Sequence, residues 1–259
     1  MQKQLAEKLI NDVLVLAPEK GSFPNLLKAA VRIAGIFKVH VRLLESLSFA
    51  SEKPRIPAIK PEETEEFYRN SLAALADSKG VAWDAVIFGD SLQKALKEFS
   101  LRGLLVLLKG DASFDLKGVL REAPGPVLIM PQNFDRDFRE ILLAHVNGRS
   151  SDRALGIAAM LNKQGKAHVR VLAVGTGASL PLRAAQSRAQ YLFEKWNAQG
   201  ECKILHGDVK QTLLAECAAG KADLLILGAS ELEDWKDHRF RLFSQAMAEE
   251  AGCPVMVVK

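Results

Sequence analysis

The sequence predicts an α/β protein made of two similar domains in tandem, each a five-stranded parallel sheet flanked by helices. The first observation is an internal repeat: residues 13–45 align without a gap with residues 141–173, 128 positions later. Residues 126–129 align with residues 254–257 at the same offset. The second observation is that short apolar runs alternate with segments of helical periodicity in both copies. A repeat of this length has enough chain to bury its own core, so each copy is predicted to be a domain.

In the first copy, the opening segment VLVLA has the continuous apolar character of a strand that is buried on both faces. The predicted strands of this copy cover residues 13–17, 39–44, 85–88, 104–108 and 126–130. Helices are predicted after Ser22, a candidate N-cap, and from Pro61, where two acidic residues suit the positive end of the helix dipole. Further helices are predicted over residues 91–99 and 116–122, and a long loop is predicted over residues 49–61.

The second copy repeats this order of elements. Its predicted strands cover residues 141–145, 169–174, 202–205, 224–227 and 255–258, and its predicted helices cover residues 151–162, 182–196, 209–219 and 240–251. Helices that alternate with strands return the chain to the same edge of the sheet, so the strands must pair in parallel. Right-handed crossovers then cover both faces and predict an open, doubly wound, Rossmann-like sheet.

We predict that the two domains cover residues 1–133 and 138–259, with a short polar linker over residues 131–139. The net charge of +4 is mild and no basic stretch has nucleic-acid-binding density, so we expect no nucleic-acid partner. No apolar run is long enough to span a bilayer and no signal peptide is evident, so we expect a cytoplasmic protein without membrane insertion. The three cysteines, Cys202, Cys217 and Cys253, follow no metal or redox spacing and are interpreted as packing residues.

In a doubly wound sheet, ligands bind beyond the carboxyl ends of the strands, where the winding order reverses. Any site should therefore lie in the loops after the first and fourth strands of each copy. These loops are predicted at residues 18–22 and 109–113 in the first copy, and at residues 146–150 and 228–233 in the second.

Two blocks of the second copy resemble a known family. Residues 222–228, ADLLILG, precede a loop and a helix and are followed by CPVMVV at residues 253–258. Residues 141–155, ILLAHVNGRSSDRAL, open this copy with a strand and a small polar loop. In this order the blocks resemble the universal stress protein family, and their double occurrence resembles its tandem members. The resemblance implies the adenine-nucleotide alpha-hydrolase-like variety of Rossmann fold.

The resemblance also implies how the two copies associate. Single-domain members of the family pair through their last strands, so we expect residues 126–130 and 255–258 to meet in an intramolecular pseudo-dimer. Further pairing of two chains into a homodimer is left open.

Family members that bind ATP have an aspartate after the first strand, and this sequence has Pro18 and Val146 at the two matching positions. Their phosphate loop has the pattern Gly-x-x-Gly-x9-Gly-Ser/Thr. Gly228 matches its first glycine, whereas the other three positions carry Glu231, Arg241 and Leu242. Side chains at these positions prevent close approach of the backbone to phosphates, and a carboxylate repels them. The sequence therefore predicts that neither copy keeps the usual ATP site, and no cofactor is expected.

The first copy is also shorter in this region. Aligning Lys109 with Gly228 leaves nine fewer residues before the last strand than in the second copy. We therefore predict that any small-molecule site lies in the second copy, with candidate residues at Asn147, Gly148, Ser150, Gly228, Ala229 and Ser230. The alternative interpretation of the first three is structural: Ser150 or Ser151 would cap the next helix, after a tight turn.

A charged cluster and a single histidine are further candidates for a functional site. A charged cluster before the last helix, of Lys236, His238, Arg239 and Arg241, is either an anion site or a solvated loop. His145, at the end of a strand, is interpreted as a buried structural histidine rather than a ligand or base. The sequence contains no nucleophile elbow, catalytic triad spacing or metal-ligand cluster.

Two hypotheses about function remain. The first is a non-catalytic binding or regulatory protein of the stress response, in which the nucleotide sites have degraded and which binds an unknown protein or small ligand. The alternative is a member that binds ATP, or another nucleotide, at an altered site in the second domain, with slow hydrolysis not excluded. An unrelated enzyme on the same sheet is a third reading, because fold does not fix function.

Overall fold

The computed structural model describes residues 10–17, 23–46, 61–88, 103–111, 114–177, 179–218, 221–228 and 238–259. The predicted N-cap Ser22, the predicted helix over residues 91–99 and most of the predicted loop over residues 49–61 lie outside these ranges.

The first half contains five strands and three described helices. The strands are β1 (Asp12–Leu16), β2 (His40–Ser46), β3 (Trp83–Phe88), β4 (Leu104–Leu108) and β5 (Val127–Met130). The helices are α1 (Phe23–Phe37), α2 (Pro61–Lys79) and α3 (Leu116–Glu122). Asp115 caps α3, because its carboxylate accepts hydrogen bonds from the backbone N–H groups of Lys117 and Gly118.

The second half contains five strands and four described helices. The strands are β6 (Glu140–Ala144), β7 (His168–Gly175), β8 (Glu201–His206), β9 (Leu224–Gly228) and β10 (Val255–Val258). The helices are α4 (Arg149–Gly165), α5 (Ser179–Trp196), α6 (Val209–Ala218) and α7 (His238–Glu250). Each strand lies within two residues of its predicted position, and α4 and α5 begin two to three residues before the predicted starts. None of the described helices is long and apolar enough to cross a bilayer.

The sheet confirms the predicted fold class and shows how the last strands of the two halves pair. Strand order in the first half is β3-β2-β1-β4-β5, all parallel, and the second half has the equivalent order β8-β7-β6-β9-β10. β5 pairs with β10 in antiparallel fashion, so the two parallel units form one ten-stranded sheet. The expected meeting of the last strands is therefore a continuous hydrogen-bonded seam.

The register of the β5–β10 seam is that of two strands related by a two-fold axis. Leu128 lies opposite Met256, which is its own counterpart in the repeat, and Ile129 and Val127 lie opposite Val255 and Val257. The Ile129–Val255 pair and the Val127–Val257 pair are thus equivalent by the repeat, as contacts are in an isologous dimer interface. The tandem chain is therefore an intramolecular pseudo-dimer.

Helices repeat this symmetry on both faces of the sheet. On one face α1 packs against its counterpart α4, and on the other face α3 packs against its counterpart α7. One hydrophobic cluster fills each interlayer space, and both clusters contain residues from the two halves. Since the core continues across the seam, the limits at residues 133 and 138 stay a prediction.

The linker is less polar than its sequence indicated. Phe134 and Phe138 are buried, with ring centroids 6.2 Å apart. The buried carboxylate of Asp223 accepts hydrogen bonds from the backbone N–H groups of Arg139 and Glu140, and it forms an ion pair with Arg136 at 3.0 Å. The linker is thus fixed to the second half by buried rings and by one buried acid.

Candidate functional site

The candidate crevice of the second half lies where β6 and β9 end side by side. Ala144 pairs with Leu227 at the carboxyl ends of these strands, so the segment after β6 and the residue Gly228 meet at one edge. Gly228 lies against Ser151 in the first turn of α4, which follows Asn147 and Gly148, and the prediction that these residues form a binding site stays a prediction. Ala229 and Ser230 lie outside the described residues.

The start of α4 corrects the predicted capping. The N-cap is Gly148, with φ 156° and ψ 160°, and no side chain caps this helix end. This conformation is one that side-chain-bearing residues rarely adopt, so a glycine suits it. Ser150 and Ser151 lie inside the first turn and are buried, so neither is the cap. The helix begins earlier than predicted because the glycine turns the chain into it.

Gly228 is fixed by close packing against that first turn. A Cβ atom at Gly228 would lie 2.6 Å from the Cα of Ser151 and 2.7 Å from its backbone nitrogen. Real Cβ atoms do not approach backbone this closely, so only glycine fits here without displacing α4. The glycine therefore has a structural role, in addition to any role in ligand binding.

His145 is buried beside the same helix end. Its side chain has 0% exposure, and Nε2 lies 3.6 Å from Oδ1 of Asp152, in the first turn of α4. Neither ring nitrogen forms a hydrogen bond of ordinary geometry among the described residues, although the Asp152 carboxylate and the backbone of Ala185 lie nearby. Burial lowers the pKa of His145, and the nearby Asp152 carboxylate partly offsets this effect. A neutral histidine is thus favoured, in line with the structural interpretation.

Asp152 connects the helix end to α5. Its two carboxylate oxygens accept hydrogen bonds from Arg188, at 2.7 Å from Nη2 and 3.4 Å from Nε. Asp152 also suits the positive end of the α4 dipole. His145, Asp152 and Arg188 form a cluster, of which the sequence indicated only the histidine. Asp152 and Arg188 are 36 residues apart, so no local sequence pattern indicated that they pair.

The position that matches the family's aspartate faces solvent. Val146 is 53% exposed, an unusual environment for a large apolar side chain, and Asn147 beside it is also exposed. The nearby acid, Asp152, follows six residues later and already pairs with Arg188. At this edge of the sheet, the chain presents an apolar side chain and an amide where nucleotide-binding relatives have a carboxylate.

The first half has a different edge. Strand register places Leu108, not Lys109, at the position of Gly228, because Leu104 pairs with Val13 as Leu224 pairs with Ile141. The sequence alignment was therefore displaced by one residue. The chain advances 22 positions from Leu105 to its partner Val127, and 30 positions from Leu225 to its partner Val255. The first half is therefore shorter here by eight residues (30 − 22), rather than nine.

The charged cluster before α7 stays a prediction. His238, Arg239 and Arg241 lie at the start of α7, and Lys236 lies outside the described residues. Pro18 and Glu231 also lie outside them. Within the described ranges, no three His, Cys, Asp or Glu side chains converge in a group that could hold a metal ion.

Residues 137–259 match the family model described as the universal stress protein family. The second half of the chain is a universal stress protein domain. The first half is the earlier copy of the repeat and has the same strand order as this domain. This confirms the resemblance that the motifs indicated.

Solved structures share this fold over nearly the whole chain. A universal stress protein from Archaeoglobus fulgidus has a TM-score of 0.67 at 16% identity, covering 98% of this chain and 98% of that chain. The cytoplasmic domain of a prokaryotic cation chloride cotransporter has a TM-score of 0.64 at 16% identity, covering 96% and 95%. A protein of unknown function from Pseudomonas aeruginosa has a TM-score of 0.60 at 20% identity, covering 98% and 94%. No curated protein matches the sequence.

Proposed function

We propose that this universal stress protein is a non-catalytic binding or regulatory protein that has lost the family's usual ATP site in both halves. The observation that carries the proposal is the carboxyl edge of β6. Val146 stands half-exposed where nucleotide-binding relatives have an aspartate, and the nearby acid Asp152 is paired with Arg188. No carboxylate is thus offered to a nucleotide at this position.

The phosphate end of the site supports the same proposal. Gly228, the one glycine of the pattern that remains, is held against the backbone of Ser151 by close packing. Its presence is therefore explained by the fold and is not evidence for phosphate binding. In the first half the equivalent position is the buried Leu108, which leaves no glycine there.

The alternative, nucleotide binding at an altered site in the second half, has one observation in its favour. The 17-residue helix α4 follows the N-cap Gly148 and has no side-chain cap, so its first N–H groups are not satisfied by a capping side chain. Such groups bind anions when they are accessible. Asn147 lies exposed beside them and adds an amide donor.

Calorimetry of the full chain with ATP and Mg²⁺ separates the two proposals. We expect no binding heat. A micromolar dissociation constant, about −8 kcal/mol, would favour the alternative. In that case Asn147→Ala should weaken binding, while Lys109→Ala in the first half should leave it unchanged as the matched control. Binding that depends on Lys109 would contradict the prediction that any site lies in the second half.

A variant that restores the missing carboxylate tests whether position 146 alone prevents ATP binding. Val146→Asp returns a carboxylate to an exposed position, where it costs little stability. We expect it to remain without ATP binding, because Glu231, Arg241 and Leu242 still replace the phosphate-loop residues. If this variant binds ATP, the loss of the aspartate at position 146 is enough to explain why the natural sequence does not bind ATP as its nucleotide-binding relatives do.

The ligand or partner that this protein does bind is a separate question. Mass spectrometry of small molecules released from the native protein would identify a ligand that co-purifies. We place the protein in the cytoplasm, because its three cysteines are free, as is usual in a reducing compartment. The cotransporter domain indicates that a tandem unit of this fold also occurs as part of a larger protein.

A further inference from the structure

Cys217 and Cys253 lie together in the core of the second half, on the side away from the candidate crevice. Cys217 is in the last turn of α6, which leads into β9, and Cys253 lies in the turn that leads into β10. Both belong to the same hydrophobic cluster, and they are 3% and 2% exposed. Since β9 and β10 are neighbours, the two cysteines meet near the amino ends of these strands.

The two thiols are neighbours in this cluster. Their hydrogen-bonding interaction lowers the pKa of Cys253 and raises the pKa of Cys217, so the negative charge of the pair is favoured on Cys253. The charge of Arg136 acts in the same direction on Cys253, whereas burial opposes it. The net lowering of its pKa makes Cys253 the more nucleophilic thiol of the pair.

The helix that carries Cys217 is held by few buried side chains. Of the ten residues of α6, only Leu213 and Cys217 are buried. An element with so few buried contacts opens locally at low free-energy cost compared with the sheet beneath it. Opening also requires Arg170 to release Glu216 and the carbonyl of Lys221, two polar contacts at the end of α6. When α6 opens, a small oxidant reaches the pair.

We propose that Cys217 and Cys253 are a redox site, which forms a reversible intramolecular disulfide when it reacts with hydrogen peroxide. Peroxide is the suitable class of oxidant because it is small, whereas a bulky disulfide such as oxidised glutathione cannot reach thiols this deeply buried. The site is distinct from the crevice at the carboxyl edge of the sheet.

The reaction proceeds in two steps. The sulfur of Cys253 attacks one peroxide oxygen and the O–O bond breaks; the departing hydroxide takes the thiol proton and leaves as water, so Cys253 becomes a sulfenic acid. The sulfur of Cys217 then attacks that sulfur and the S–O bond breaks; the departing hydroxide takes the proton of Cys217 as a second water. The two thiols lose two electrons, which peroxide accepts.

The test uses the full reduced chain, treated with increasing hydrogen peroxide, then with catalase, and then with a thiol-blocking maleimide in denaturant. Digestion and mass spectrometry should find a peptide pair linked through Cys217 and Cys253, and a dithiol reductant should return both free thiols. Cys202 is the internal control. It is half-buried, burial raises its pKa to about 11, and it should stay blockable by the maleimide.

Single variants test the assigned roles. In Cys217→Ser, peroxide should leave Cys253 as a sulfenic acid that a dimedone probe labels, whereas Cys253→Ser should leave Cys217 unlabelled. If a variant fails to fold, dimedone trapping on the wild-type chain at early times gives the same assignment. The proposal is overturned if the linked pair appears only in denaturant, if the linkage involves Cys202, or if both core thiols stay free.

Discussion

The two halves of this protein share the sheet and differ at its carboxyl edge. Both have the strand order 3-2-1-4-5, and each contributes its last strand to the seam. At the edge, the second half has His145 and Gly228, where the first half has Ala17 and Leu108. The first half is also eight residues shorter between its fourth and fifth strands (30 − 22).

The halves differ at the carboxyl edge and not in the sheet because the two regions are buried to different degrees. Residues of the central strands and of the seam are buried on both sides, so a change there leaves a cavity or a clash. Residues beyond the strand ends face solvent in part, and chain can be removed there at small cost. The repeat was therefore free to diverge where a ligand would bind, and was constrained where the halves meet.

The largest expected effect tests the two-fold seam. Leu128→Ala and Met256→Ala each remove a buried side chain that packs at the axis, and each should lower the free energy of unfolding by about 2–5 kcal/mol. Since each residue is the other's cross-strand neighbour, the two losses should be similar. Urea unfolding measures them, with the exposed Val209→Ala as control. Losses that differ several-fold would argue against an equivalent role of the two halves in the seam.

An intermediate effect tests the edge of the second half. Gly228→Val places a side chain against the backbone of Ser151, so α4 must shift, and the free energy of unfolding should fall by about 2–3 kcal/mol. Gly252→Ala is the matched control, because a Cβ there meets nothing within 4 Å. The midpoint of urea unfolding measures both. An unchanged midpoint for Gly228→Val would mean that the close packing at this edge is not a constraint.

The smallest effect concerns pH and the second half alone. Burial lowers the pKa of His145 below its ordinary value of 6.5, so the unfolded chain binds a proton at this residue more readily than the folded chain. Stability should therefore fall as pH drops below about 6.5, by about 1.4 kcal/mol for each unit of pKa lowering. His145→Gln should flatten the dependence on pH in this window.

The control for that experiment is His168→Gln, since this histidine is exposed and pairs with Glu140 at the surface. The first half has no titrating counterpart, because Ala17 occupies the position. The charged groups that face His145 are Asp152 and Arg188, and neither changes in the variant. An equal pH dependence in wild type and His145→Gln would assign the effect to other groups.

Much of the fold could be predicted because it depends on patterns that are local in the chain. The run from Leu104 to Leu108 is apolar at every position, which indicates a strand covered on both faces, and all five residues are buried. The alternation with helices made parallel pairing necessary. The candidate site was only partly predictable. Gly228 lies beside the start of α4, as its position after the fourth strand implied, whereas the predicted serine cap was wrong because the positive φ of Gly148 cannot be read from sequence.

The sequence by itself therefore determined the secondary structure, the repeat and the family, because periodicity, turn residues and motif order act over short stretches of chain. The family resemblance implied that the last strands meet, but only the tertiary structure decided their register, the pairing of Asp152 with Arg188 and which cysteines meet. The β5–β10 seam, the Asp152–Arg188 pair and the Cys217–Cys253 contact each join residues 36 or more positions apart. Such contacts depend on the packing of whole elements against one another, and no single segment carries a signal for them.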